Sequence, residues 1–162
     1  MANFIHPTAI IGDNVIIGDG NYIGAYCIIG DKAEHKKFWN VEKGKVYIGD
    51  NNVITGLVTI DAGTEIDTFI GNNCFIMKHV YIAHDTTIFD NVTICSGAKI
   101  GGHSIIDEGA NIGLNAALHQ FTHVGENCMI GASAFVKGEA KANSKYAGVP
   151  AKYLSPNIKK NE

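Results

Sequence analysis

The stretch Ile70-Gly-Asn-Asn-Cys-Phe-Ile76-Met-Lys-His-Val-Tyr-Ile82-Ala-His-Asp-Thr-Thr-Ile88 places an isoleucine at every sixth position. The phase continues through Ile94, Ile100, Ile106, Ile112, Leu118, Val124, Ile130 and Val136, and fades at Ala142. Four places after each aliphatic residue stands a small one, among them Cys74, Thr86, Ala98, Ser104, Ala110, Ala116, Thr122, Cys128, Ala134 and Ala140. Helices repeat near 3.6 residues and strands alternate with a period of 2. A period of six fits neither. It reads as a coiled parallel sheet in which each hexad supplies one short strand and one turn. Gly, followed by Asp or Asn, often comes after the aliphatic residue, and these tolerate the positive φ of a sharp corner. Three hexads make one triangular coil. Aliphatic side chains fill its axis and small ones its inside corners. The class is therefore all-β, a parallel β-helix of about seven coils at a strand spacing of about 4.8 Å.

Upstream the phase runs through Ile5, Ile11, Ile17, Ile23 and Ile29, breaks, and resumes at Ile48, Ile54, Ile60 and Ile66. The break, residues 31–47, reads DKAEHKKFWNVEKGKVY; it is polar, rich in lysine and holds the only Trp. It is expected to be a loop extruded from the prism, and loops of that length are commonly functional. Between Ile66 and Ile70 the phase slips by two, which marks an irregular corner. Near the end, NSKYAGVPAKYL leaves the coil through Gly148 and Pro150, and SPNIKKNE reads as a frayed tail. The expected organisation is one β-helix domain over residues 1–148, with loop 31–47 extruded, and a tail over 149–162.

A chain of 162 residues suits a single domain. Its formal charge is −3, and all 13 of its Lys and Arg residues are lysine. No basic stripe points to nucleic acid, and without arginine the chain has no bidentate guanidinium clamp for phosphate. Cys27, Cys74 and Cys128 fall on the small inward positions, so they read as packing residues rather than metal or redox groups. No leader-like start and no apolar run of membrane-spanning length is present, so the expected setting is cytoplasmic, with no membrane span. A bare first coil and outward apolar residues such as Phe75, Met77, Phe89 and Phe121 point to self-association with closed symmetry.

The coil length also aligns the histidines. His84, His103 and His119 fall in the hexads that start at Ile82, Ile100 and Leu118, one coil apart, and Gln120 lies beside the last. They are expected to share one edge of the prism. A histidine there is suited to take a proton from a nucleophile near neutral pH.

Tyr81-Ile-Ala-His84-Asp85, Gly101-Gly-His103 and His119-Gln120-Phe121, at these separations, resemble the UDP-N-acetylglucosamine acyltransferases of lipid A synthesis. Ile5-His-Pro-Thr-Ala-Ile10 and the loop followed by Ile48-Gly-Asp-Asn-Asn are similar too, so the resemblance covers roughly residues 4–136. It implies a left-handed coil and a homotrimer with active sites between subunits. It implies His84 as general base and Gly102 as the residue whose backbone N–H stabilises the oxyanion. Tyr81, His103, His119, Gln120, Glu34 and Lys36 match substrate-binding positions. Asp85 follows His84 directly, so a backbone carbonyl is expected to hold the other ring nitrogen.

The chain departs from that family at several points. Tyr81 replaces the first His of the His-x-x-His motif, and Ala33-Glu34 replaces Gln-Asp in the loop. The end, Tyr146-Ala-Gly-Val-Pro-Ala-Lys152, is similar instead to hexapeptide acetyltransferases that use acetyl-CoA. Gly148, Pro150, Lys152 and Lys137 are then expected to bind the cofactor. The favoured expectation is transfer of an acetyl or other short acyl group from acetyl-CoA to an amine or hydroxyl of a nucleotide-linked sugar, with no metal. The alternative within the class is long-chain transfer from acyl carrier protein to UDP-N-acetylglucosamine. From other classes, a γ-carbonic-anhydrase-like metalloenzyme would use His79 and His84 with a third ligand near residue 43, where Lys43 stands and the nearest histidine, His35, lies in the loop; a non-catalytic scaffold would show no saturable ligand.

Overall fold

A computed structural model describes residues 1–158 of the chain. These residues form short parallel strands wound as a left-handed β-helix, with no helix among them. Three sheets make the faces of a triangular prism. Face 1 begins at Phe4–Ile5, face 2 at Ile10–Ile11 and face 3 at Val15–Ile17. Faces 2 and 3 hold seven strands each, and face 1 holds nine. The chain completes seven coils before Ser144–Ala147 begins an eighth on face 1. Residues paired across coils lie 18 apart in the regular part, as Tyr81 and Lys99 do, with the aliphatic positions in exact step: Ile76 with Ile94, Ile82 with Ile100, Ile88 with Ile106.

The period of six therefore has a simple physical content. Each two-residue strand turns one side chain outward and one inward. The inward residues Ile70, Ile76, Ile82, Ile88, Ile94, Ile100, Ile106 and Ile112 are fully buried along the axis. The small residues four places on are buried as well, from Cys74 to Ala140. All four cysteines are free. Burial pushes the Cys74 and Cys128 thiols up to about 11, which keeps them as unreactive packing groups at neutral pH.

Some expected positions move. Ile66 is 55% exposed and is not part of the axis. The coil that contains it is long: Phe69 pairs with Tyr47, 22 residues back, so four extra residues sit in the corner after Thr59–Asp61. Ala142 is exposed, and Ala140 closes the inward series. Phe89 and Phe121 stand at corners, not on flat faces.

The larger break behaves as a loop. Tyr47 pairs with Ile16, 31 residues back, so thirteen extra residues leave the coil between Ile28–Asp31 on face 2 and Val46–Ile48 on face 3. Both insertions thus project from the same edge, where face 2 meets face 3. At the far end, Lys152–Pro156 folds back antiparallel on Ser144–Ala147, so Ser155 and Pro156 belong to a strand rather than to a frayed tail. The remainder of the expected tail, residues 159–162, lies outside the described residues.

The axis tests the account of stability. Ile94 is fully buried in a central coil between Ile76 and Ile112. Ile94→Ala should lower unfolding stability by about 2–5 kcal/mol, measured by denaturant titration, because stacked coils cannot collapse into the hole.

Candidate active site

The edge between faces 2 and 3 carries, in ascending order, the extruded loop, the four-residue insertion, His84, His103 and His119. The histidine column expected from the spacing is thus assembled on one edge. His84 follows the strand Tyr81–Ile82 and is buried. Its Nδ1 lies 2.5 Å from Asp85 Oδ2. A backbone carbonyl is therefore not its partner; the adjacent carboxylate is. The reason is the backbone: Asp85 has φ 59°, and this left-handed turn curls its side chain back under the neighbouring ring.

Asp85 is itself held from several sides. Its Oδ1 accepts hydrogen bonds from the backbone N–H groups of Thr64, Glu65 and Ile66, and its Oδ2 accepts one from the Thr64 hydroxyl. The four-residue insertion is the segment that wraps this carboxylate. Burial alone would raise the Asp85 pKa. The hydrogen bonds from Thr64, His84 and Ile66 more than offset that and hold it well below the usual carboxylate range. A permanent carboxylate only accepts, so His84 Nδ1 carries a hydrogen, and in the neutral ring that tautomer leaves the lone pair on Nε2.

Gly102 packs against that ring. A Cβ on Gly102 would lie 2.9 Å from His84 Cε1 and 3.0 Å from Nε2, so only glycine leaves this face of the imidazole open. Its N–H has no hydrogen-bond partner among the described residues, whereas its carbonyl accepts from Phe121 N. His103 stands edge-on to His84 at 5.3 Å between ring centroids, stacks on Phe121 at 4.6 Å, and brings Nε2 to 3.4 Å from Asp85 Oδ2. His119 is half-buried one coil higher, its Nδ1 3.0 Å from the Gln120 carbonyl oxygen, and the Gln120 side chain is exposed.

The loop closes the other side. Glu34 and Lys36 are exposed on it. Between them His35, named above only as the histidine nearest the third metal-ligand position and not as part of the acyl-transfer site, stands edge-on to His84 at 5.5 Å between ring centroids. Tyr81 Oη donates to Asp61 Oδ2 at 2.6 Å, and Glu34 N donates to the same oxygen at 3.4 Å. Asp61 was likewise missed. Its only signal was position: it ends the strand just before the phase slip.

Other expected site residues are not brought here. His79 sits at the corner between faces 1 and 2, across a strand from His84, and Lys43 Nζ donates to the Gly30 carbonyl. The ligand pair of the metalloenzyme alternative, His79 and His84, therefore does not form within the chain. His84, Asp85 and His103 do converge, with ligand-capable atoms within 4.8 Å. The 2.5 Å contact between Nδ1 and Oδ2 is a hydrogen bond. Two ligands of a tetrahedral zinc at about 2.0–2.1 Å stand about 3.3 Å apart. Lys137 lies on the same edge above His119, while Lys152 pairs with Ala147 on face 1. Gly148 and Ala151 spend backbone groups on Phe135, so the turn around Pro150 caps the last coil.

The acyl-[acyl-carrier-protein]--UDP-N-acetylglucosamine O-acyltransferase of Campylobacter concisus is 35% identical over 147 residues, covering 81% of this chain and 56% of that protein. The crystal structure of LpxA, a UDP-N-acetylglucosamine acyltransferase from Bacteroides fragilis, superposes with a TM-score of 0.93 at 34% identity, covering 96% of this chain and 62% of that one. The acetyltransferase domain of PglB from Neisseria gonorrhoeae, in complex with acetyl coenzyme A, reaches a TM-score of 0.61 at 24% identity over 94% of this chain and 57% of that one, a likeness of fold alone. This chain thus spans about half to three-fifths of the length of these proteins. The first two overturn the acetyl-CoA expectation drawn from Gly148, Pro150, Lys152 and Lys137: the C. concisus relative carries acyl carrier protein in its name as the donor. The family model that matches, the GMPPB C-terminal domain, spans residues 43–162, and this chain, a homologue of the UDP-N-acetylglucosamine acyltransferases, belongs to that family.

Proposed function

We propose that the chain is an acyltransferase that moves an acyl group from acyl carrier protein to a hydroxyl of UDP-N-acetylglucosamine. The observation that carries this reading is the His84–Asp85 pair facing Gly102, whose N–H has no hydrogen-bond partner among the described residues. His84 Nε2 removes the proton of the sugar hydroxyl as its oxygen attacks the thioester carbonyl. The Gly102 N–H meets the oxyanion that forms, in the role of a preorganised donor. Collapse of the tetrahedral intermediate breaks the carbon–sulfur bond, and the proton held on Nε2 passes to the departing thiolate. Asp85 stays ionised throughout and stabilises the imidazolium. Glu34, Lys36, Tyr81, His103, His119 and Gln120 line the edge on which the nucleotide sugar would lie.

On one chain this edge is open to solvent. A homotrimer, with a neighbouring prism laid against the edge, would exclude water and complete the site. Light scattering should give a mass near three times the 17.3 kDa of the chain. A stable monomer at micromolar concentration would remove the intersubunit site.

The chemical test is thiol release from acyl carrier protein, dependent on UDP-N-acetylglucosamine. His84→Ala should lower kcat by about 10²–10⁴-fold with the assembly intact. A loss under threefold would sink its role as base. Asp85→Asn keeps the side-chain shape but no longer fixes the proton on Nδ1, so kcat should again fall by about 10²–10⁴-fold.

A further inference from the structure

Beside the base stands a hydrogen-bonded pair that the proton transfer itself does not use. Tyr81 lies on face 2 opposite Thr59 of the previous coil, and Asp61 ends that same previous strand at the catalytic edge. Asp61 is 2% exposed, and among the described residues it takes part in no ion pair. Its hydrogen-bond donors are the Tyr81 hydroxyl at 2.6 Å and the more distant Glu34 N–H at 3.4 Å. Burial pushes its pKa up to about 6, and the Tyr81 hydrogen bond pulls part of the way back. The titratable groups around it are Asp31, paired with it from the coil before; Glu34 from the loop; Tyr81 from the coil after; and His84 one coil on along the same edge.

An ionised carboxylate accepts and never donates. Above about pH 6, then, the phenolic hydrogen of Tyr81 is committed to Asp61. Burial, then the Asp61 hydrogen bond, push the phenol's own pKa upward, so it keeps that hydrogen. What the half-exposed Tyr81 offers toward the site is an oxygen lone pair, made more electron-rich by the charge behind it. Such an oxygen binds an O–H or N–H and repels a carbonyl or phosphate oxygen. We propose that Tyr81, oriented by Asp61, is a specificity-determining contact that selects a hydrogen-bond donor, a hydroxyl or amide N–H, on the sugar of the acceptor. Asp61 is a positioning residue acting through Tyr81. The inference rests on the acyl-transfer reading and deepens it.

The test joins calorimetric titration of the full chain with UDP-N-acetylglucosamine, from pH 5 to 8, to steady-state kinetics with acyl carrier protein as donor carrier. Tyr81→Phe should weaken acceptor binding about 3–10-fold, the loss of one hydrogen bond, with the change in KM rather than kcat. In the unaltered chain, acceptor KM should rise as pH falls through about 6, where Asp61 takes up a proton and frees the phenol to turn. Asp61→Asn should remove that limb, while any limb due to the histidines stays. If Asp61 only tied the loop down through the Glu34 N–H, Asp61→Asn would shift the unfolding midpoint and leave the KM profile in place, which overturns the proposal. So would Tyr81→Phe binding as tightly as the unaltered chain. If the unaltered chain neither binds nor acylates UDP-N-acetylglucosamine, the functional reading falls and this inference with it.

Discussion

Parallel pairing between neighbouring coils is the constraint on which everything else depends. Each coil donates its strand N–H groups to the carbonyls of the next, as Thr93 does to Ala110 and Cys95 to Ile112. Pairing of this kind closes only if every corner turns at the same place. The turn is made by a residue with positive φ, three places after each aliphatic one: Asn73, His79, Asp85, Asn91, Gly97, His103, Gly109, Asn115, Phe121, Asn127 and Ser133. Glycine and asparagine adopt that conformation at little cost, whereas bulky side chains do not.

The distribution of that cost is uneven. The edge between faces 3 and 1 turns on Asn73, Asn91, Gly109 and Asn127. The edge between faces 2 and 3 turns on Asp85, His103 and Phe121. Strained conformations persist where the surroundings over-determine them. Here Asp85 is fixed by amides of the insertion and by two imidazoles, and His103 is packed between the His84 edge and the Phe121 ring. The edge between faces 1 and 2 carries bulky turn residues as well, Tyr26, Leu57 and His79, but only those between faces 2 and 3 gather around His84.

This explains what the amino-acid order discloses and what it hides. The axis, the inside corners, the extruded loop and the shared edge of His84, His103 and His119 are all consequences of one period, and a period is legible. The pairing of His84 with its own neighbour is not. It depends on Asp85 having positive φ, and on amides of Thr64, Glu65 and Ile66 that arrive from the previous coil. The phase slip at Ile66 was visible, but its content, a segment curled around a carboxylate, needed three backbone positions at once. Asp61 hid for the same reason: its partner Tyr81 is one coil away, and nothing local marks the contact. The terminal turn misled in the other direction, because a short Gly-x-Pro segment can cap a coil as readily as it can bind a cofactor, and here its backbone pairs with Phe135.

The two buried carboxylates of the site show what the insertion contributes. Asp61 and Asp85 are both almost wholly inaccessible, and loss of hydration opposes ionisation of each. Their pKa values nonetheless move in opposite directions. The difference is the number of donors. Asp85 receives three backbone amides, a threonine hydroxyl and His84; Asp61 receives a phenol and one long amide contact. The well-supplied carboxylate is a constant negative charge, fit to hold a hydrogen on His84 Nδ1. The poorly supplied one stays near the point of protonation and can govern only a neighbouring hydroxyl. A corner of regular length would lack the residues that supply the amides, leaving Asp85 buried with fewer donors, as Asp61 is. Its pKa would then rise and the orientation of His84 would be lost. The four residues that disturb the period thus set this carboxylate–imidazole pair apart from the otherwise equivalent corners of the coil.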